Sequence, residues 1–331
     1  MTSDPRRAIK VEPEVSSVAP VTQFDLIWHR LRRHHLAMLS AAFLGAIVIL
    51  ALLAPLMTCP PGTGNQFCGA PFGHYTEQLV DGDGRLLVSV PPRAEFPFGT
   101  DALGRDVLSR VVHGGRASLL LGAVTGFLVV VVGTTVGAAA GFYPGAIDQS
   151  LMRFTDLVLS LPGLPVAIVV ARLLPELSPL PQWMREGVWG IAFLLAFLAW
   201  GALARIVRAE FLTLREREFV EAARAAGATD RRIIARHIRP NAIGPIIVMT
   251  TVIIAGAILA EATLSFLGFG VRPPTPTWGG MVQQGSSLAV RGKWWELTFA
   301  GSALISTVLA VNFVGDGLRD ALDPRQTVER R

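Results

Sequence analysis

The sequence predicts an all-α membrane protein with six transmembrane helices and both termini in the cytoplasm. Three observations carry that prediction. Half of the 331 residues are hydrophobic and only 17% are charged, against about a quarter in soluble domains, and the mean hydropathy is +0.47. Six apolar stretches reach or nearly reach the roughly 20 residues a helix needs to cross the hydrocarbon: 36–57, 118–142, 155–175, 188–208, 244–269 and 297–318. With the N-terminus inside, 20 of the 30 Lys and Arg fall on the cytoplasmic side, as the retention of cationic flanks requires. Half of the remainder sit in one long external loop between Thr58 and Ala117, and long translocated loops obey that rule weakly. The net charge of +5 therefore reflects topology and does not point to nucleic acid, whose binders carry a basic patch on a recognisable soluble fold.

In chain order, the first residues mix Pro, Ser, Glu and Arg without apolar periodicity, the composition of a disordered tail. Phe24, Ile27, Trp28 and Leu31 then recur at helical spacing with Arg30, Arg32 and Arg33 around them. This is an amphipathic helix, to be laid on the inner membrane surface or packed on another subunit. The polar first 35 residues and the length of the first span predict a retained anchor rather than a cleaved signal. In the external loop Cys59 and Cys68 meet an oxidising compartment, where they form a disulfide or remain two unpaired thiols. HYTEQLV and RLLVSV flank the turn Asp81 to Gly84, a hairpin signal. Further on, Leu103, Val107, Val111 and Val112 form one apolar face of a helix leading into the second span.

Within that span Gly122, Gly126, Gly133, Gly137 and Gly141 project at about 0°, 40°, 20°, 60° and 100° at helical pitch. A glycine stripe this narrow lets a neighbouring backbone approach closely in lipid and predicts a packing centre. LPGLP at 161–165 removes two backbone donors and predicts a kink in the third span, covered by protein or facing a water-filled cavity.

No zinc-binding His-Glu-x-x-His, no Gly-x-Ser-x-Gly nucleophile elbow and no Gly-Lys-Ser/Thr phosphate loop occurs, so the chain is read as a non-enzyme that binds no cofactor or metal. Glu261 is the clear ionisable group deep within a span. It either lines a pathway or gate, or is a hydrogen-bonded helix pin to a nearby Ser or Thr. Between the fourth and fifth spans, EFVEAARAAGATDRRIIARHIRPN at 218–241 reads as two short helices. Gly227 takes the left-handed position that ends the first, Thr229 or Asp230 caps the second, and Pro240 suits the start of the fifth span. Ala222 falls on the apolar side of the first helix, and Ile233, Ile234, His237 and Ile238 share one side of the second. So small an apolar surface does not fold alone: the unit docks on a soluble partner or rests on lipid headgroups.

EAARAAG at 221–227 followed by HIRPN at 237–241 resembles the EAA loop of binding-protein-dependent ABC importers, whose coupling helix sits in a groove of the ATP-binding subunit. PFGTDALGRDVLSR at 97–110, REREFVEAARAAGATDRRII at 215–234, EATLSFLGFGVRPPTPTWGGM at 261–281 and GDGLRDALDPR at 315–325 are similar to the C-type permease subunits of dipeptide, oligopeptide and nickel uptake systems. Arg239 stands where that family usually has Leu. The resemblance implies the fold of a type I ABC importer permease in the bacterial inner membrane. It divides the chain into a cytoplasmic tail (1–35), a first span (36–57), an external loop (58–117), a five-span core (118–325) with its coupling loop at 209–240, and a tail (326–331). It implies Glu221, Ala222, Ala223, Gly227, Ile233, His237 and Pro240 as the coupling loop. It also implies a heterodimer with a B-type permease, two ATP-binding subunits that use the ATP and Mg, and an extracytoplasmic solute-binding protein. The substrate is then a peptide or, alternatively, a nickel chelate. The reading of another class is a secondary transporter or channel with Glu261 as an ion or proton site, for which no inverted repeats are visible.

Overall fold

The protein is described by a computed structural model over residues 23–57 and 74–322. Among these residues the regular elements are helices: α1 (Gln23–Arg33), α2 (His35–Met57), α3 (Val107–Phe142), α4 (Ala146–Ser160), α5 (Gly163–Leu173), α6 (Gln182–Glu186), α7 (Val188–Arg215), α8 (Glu218–Ala225), α9 (Asp230–Ile233), α10 (Arg239–Phe266), α11 (Trp278–Ala289) and α12 (Trp295–Leu322). Five helices are long and apolar enough to cross a membrane, and the bent pair α4 and α5 makes a sixth span. Cys59 and Cys68 lie outside the described residues.

The spans run longer than hydropathy predicts. The second begins at Val107 rather than 118, because Asp106 caps it: the carboxylate accepts from Leu108 N at 3.2 Å and Ser109 N at 3.1 Å. Of the polar residues that precede the hydropathy signal, Arg110 and His113 are buried by protein, while Arg116 is exposed. Leu103, expected on this helix, lies in the turn before it and is exposed. Arg153, which falls between the apolar stretches 118–142 and 155–175, lies on α4.

The third span breaks where the prolines fall. Leu161 is extended (φ −68°, ψ 133°), as the residue before a proline prefers, and Pro162 occupies the N-cap of α5. Pro165 follows in the first turn of α5, where no N–H is needed. The two arms meet at 80°. The fifth span is helical from Asp230 to Phe266 with a π-turn at Ile234–Ile238. There Arg239 N bonds Ile234 O, a widened turn that fits the missing donor and bulky ring of Pro240.

Packing centres on α3. A Cβ added at Gly133 would lie 3.0 Å from Trp200 O, one at Gly137 would lie 2.7 Å from Val207 Cβ, and one at Gly141 would lie 2.6 Å from Arg208 O, all on α7. Gly122 and Gly126 instead face Ile258 and Ile254 of α10. The stripe is thus shared between two neighbours, one above the other. α1 lies along the end of α12 in the same chain: Leu31 and Ala37 meet Gly317, and His34 Nε2 stands 3.6 Å from Asp320. Gly244 near Leu322 brings the start of α10 to that same end.

At the opposite end residues 74–106 form a cap from two turns of one pattern, Asp-x-x-Gly-Arg at 81–85 and 101–105. In each, the aspartate Oδ1 accepts two backbone N–H groups at 2.8–2.9 Å and the glycine has positive φ. Val80 pairs with Leu86 across the first turn as an isolated bridge, which places the expected hairpin turn without a strand ladder. The turns are joined by Leu79 N to Gly104 O and Ser89 N to Asp101 O, both 2.8 Å. Trp295 Nε1 donates to Thr100 O at 2.9 Å, fixing the cap to α12.

Candidate functional site: a two-sided helical elbow

α7 ends at Arg215 and α8 starts three residues later, its first turn carrying Glu218 and Glu221 and its last Arg224, each charge opposing the helix dipole. Gly227 (φ +80°) closes it: Gly227 N bonds Arg224 O at 2.9 Å and Ala228 N bonds Ala223 O at 3.0 Å, the paired bonds of a Schellman end. Thr229 then takes the N-cap position of α9 with its backbone alone, without a side-chain bond.

This elbow is sealed to its own bundle. Val220, Ile233 and Ile238 are each 0% exposed and pack with Phe142 of α3, Val207, Phe211 and Leu214 of α7, and Ala242 and Ile246 of α10. Ala223 and Ile234 join them half-buried. Arg224 lies over the Phe142 ring at 6.0 Å, and Arg215 Nη1 donates to Phe142 O at 3.3 Å. The first helix, however, is two-sided. Phe219, Ala222 and Ala226 are exposed at spacings of three and four residues, so they share a second, outward stripe. Ala222 belongs to this outer stripe, while Val220 and Ala223 make the buried side. Glu221, Gly227, Arg239 and Pro240 are also exposed, and His237 is half-buried, its carbonyl accepting Asn241 Nδ2 at 2.6 Å.

Glu261 lies far from the elbow along α10, fully buried. Its Oε1 accepts Ser265 Oγ at 2.6 Å, one turn on in the same helix, and among the described residues no donor meets its Oε2 within hydrogen-bond geometry. α11 closes over it, with Gly279 against Ala262 and Ser265. Ser265 lines a neighbouring cleft of about 340 Å³ that Glu261 itself does not reach.

One buried cluster escapes a reading by periodicity. Arg110 donates to Asp101, to Glu296 Oε1 at 3.2 Å and to Gln284 Oε1 at 3.0 Å, and Arg105 Nε donates to Asp101 Oδ2 at 2.7 Å. It joins the cap to α3, α11 and α12. The repeated Asp-x-x-Gly-Arg turn signals Asp101 in the sequence; nothing local signals Glu296, 186 positions from Arg110. Among the described residues no group of His, Cys, Asp or Glu is arranged to hold a metal ion.

Residues 133–328 match the family described as binding-protein-dependent transport system inner membrane component, and residues 22–72 match the N-terminal transmembrane domain of oligopeptide transport permease C. The chain is similar to the dipeptide transport system permease protein DppC of Bacillus subtilis (strain 168), 36% identical over 298 residues, 90% of this chain and 84% of the relative. A protein of Brucella abortus biovar 1 (strain 9-941), provisionally named a peptide transport system permease protein, is 40% identical over 301 residues, 91% of each chain. The fold is similar to that of the MetNI methionine ABC transporter in an inward-facing form, with a TM-score of 0.54 and 19% identity, covering 65% of this chain and 97% of that one. With its six spans, its cap and its sealed elbow, this chain belongs to the family of binding-protein-dependent transport system inner membrane components, multi-pass proteins of the bacterial inner membrane.

Proposed function

We propose that this chain is the transmembrane permease subunit of an ATP-driven peptide importer, forming half of the translocation pathway and coupling it to a cytoplasmic ATPase. The observation that carries the reading is the two-sided elbow. Its inner face, Val220, Ile233 and Ile238, is joined to α3, α7 and α10, while Phe219, Ala222 and Ala226 face outward on the same short helix. A subunit seated on the outer stripe can displace the elbow only by moving the spans with it. The cationic residues around it favour the cytoplasmic side, where two ATP-binding subunits hydrolyse ATP with Mg. A second, B-type permease and an extracytoplasmic binding protein complete the assembly. Peptide as substrate follows the names of the two relatives.

Reconstitution tests this directly. The chain alone is expected to bind and hydrolyse no ATP, and the full complex to hydrolyse it faster once peptide-loaded binding protein is added. ATP turnover by the isolated chain, or stimulation by a nickel chelate and by no peptide, would overturn the proposal.

A further inference from the structure

α4 buries only part of its circumference. Gln149, Arg153, Asp156 and Ser160 are exposed, and at helical pitch they fall in a strip about 60° wide, while Thr155 and Val158 turn into the bundle. The strip ends at the 160–165 break, whose residues are exposed as well. Opposite it on α7, Arg205 Nη2 donates to Asp156 Oδ1 at 2.6 Å, and both side chains stay more than half exposed, 53% and 59%. Among the described residues the contact is single, so Asp156 Oδ2 and the remaining Arg205 donors are open to other partners. Arg208 and Asp148 differ: two bonds of 2.5 and 2.7 Å close that pair. Arg153 makes no ion pair among the described residues. Together these side chains line an open cleft of about 420 Å³.

Hydrocarbon is a poor cover for this charged face. Ionised side chains within a span, and backbone that leaves the helix at membrane depth, require protein or water. An open Arg–Asp pair beside an unpaired Arg is suited to water and to exchange of partners. The cleft holds both signs of charge, so it complements a zwitterion; an anionic headgroup would be opposed by Asp156.

On the importer reading above, on which it rests, we propose that Arg153, Asp156 and Arg205 form a station in the substrate passage that holds the charged ends of a peptide. The Asp156 carboxylate receives the α-ammonium, and the Arg153 and Arg205 guanidiniums receive the α-carboxylate. Arg205 leaves Asp156 as the peptide arrives, so each charge keeps a partner throughout.

The experiment uses the complete complex in liposomes with loaded binding protein, offered one peptide in free, N-acetylated and C-amidated forms. Each variant is compared with wild type on the same peptide, so the binding protein's own preference cancels. Asp156→Asn is expected to slow uptake of the free peptide roughly tenfold, the worth of one charge-assisted hydrogen bond, and to leave the N-acetylated peptide at its wild-type rate. Arg153→Gln, which breaks no ion pair, is expected to slow the free peptide and spare the amide. Equal losses on all three peptides would make the cluster a helix clamp and overturn the station, as would no loss in either variant. A wild-type complex that takes up no form of the peptide overturns the importer reading itself, and is told apart because the variants play no part in it.

Discussion

Gly137 and Gly227 both favour glycine, for different reasons. At Gly137 a Cβ would press on Val207 Cβ at 2.7 Å and Arg208 N at 3.1 Å, so the constraint is space. At Gly227 a Cβ would meet nothing within 4 Å, but φ is +80°, so the constraint is backbone conformation. The expected outcomes separate accordingly. Gly137→Leu destabilises by about 1–3 kcal/mol through overpacking, read as lower complex yield and a lower melting temperature, whereas Gly227→Asn is tolerated because Asn adopts the left-handed conformation. Gly227→Val fails, at a cost of about 1–3 kcal/mol, by misdirecting α9 and not by crowding. If Asn and Val behaved alike at 227, the positive φ would be irrelevant to the elbow.

Among the elements, α8 is the one with two apolar faces. Val220 anchors it, 0% exposed, and nothing in the bundle covers Ala222. Ala222→Arg therefore leaves the fold of this chain alone, since the new side chain projects outward. In a docked complex it buries an unpaired charge. The expected result is normal membrane insertion with loss of the ATPase subunits in mild detergent, checked by co-purification. Full retention of the ATPase, together with full transport, would reduce the elbow to a surface helix. The α4–α5 pair shows the other elemental lesson: two prolines in five residues predict a break, yet neither predicts its 80°, which follows from how α5 packs against α7.

For the whole molecule, the Asp101–Arg110–Glu296 cluster is the tie between the cap and the bundle. Arg110 is 3% and Glu296 1% exposed, so removing the cation strands the buried Glu296 carboxylate and leaves Asp101 with Arg105 as its one cation. Arg110→Met is expected to cost roughly 3–5 kcal/mol and to expose the cap to proteolysis, while Gln284→Ala, which removes one hydrogen bond, costs about 1–3 kcal/mol. Limited proteolysis across 74–106 reads the difference. Equal cleavage in the two variants and wild type would mean that the cap is held by Trp295 and its neighbours alone.

Hydropathy, charge bias and local turn chemistry determined the number of spans, the break at LPGLP, the left-handed Gly227 and the glycine face of α3, because each depends on residues near in sequence and on a solvent that rejects polar backbone. Helix ends lie beyond the hydropathy signal where polar residues are covered by distant protein: Arg110 stands outside the signal of the second span, yet Glu296 and Gln284 make it an interior residue. Ala222 likewise cannot be placed on an inner or outer face by periodicity, since α8 is apolar on two sides and the α3 and α7 residues around Val220 choose which is buried. Glu261 as a helix pin bonded to Ser265 is one of two readings open in the sequence. What enclosed it was α11, folded back by the loop after α10. Such choices belong to tertiary structure because they turn on which surfaces meet across long sequence separations, and a pattern of period 3.6 records only that a face is apolar, not what covers it.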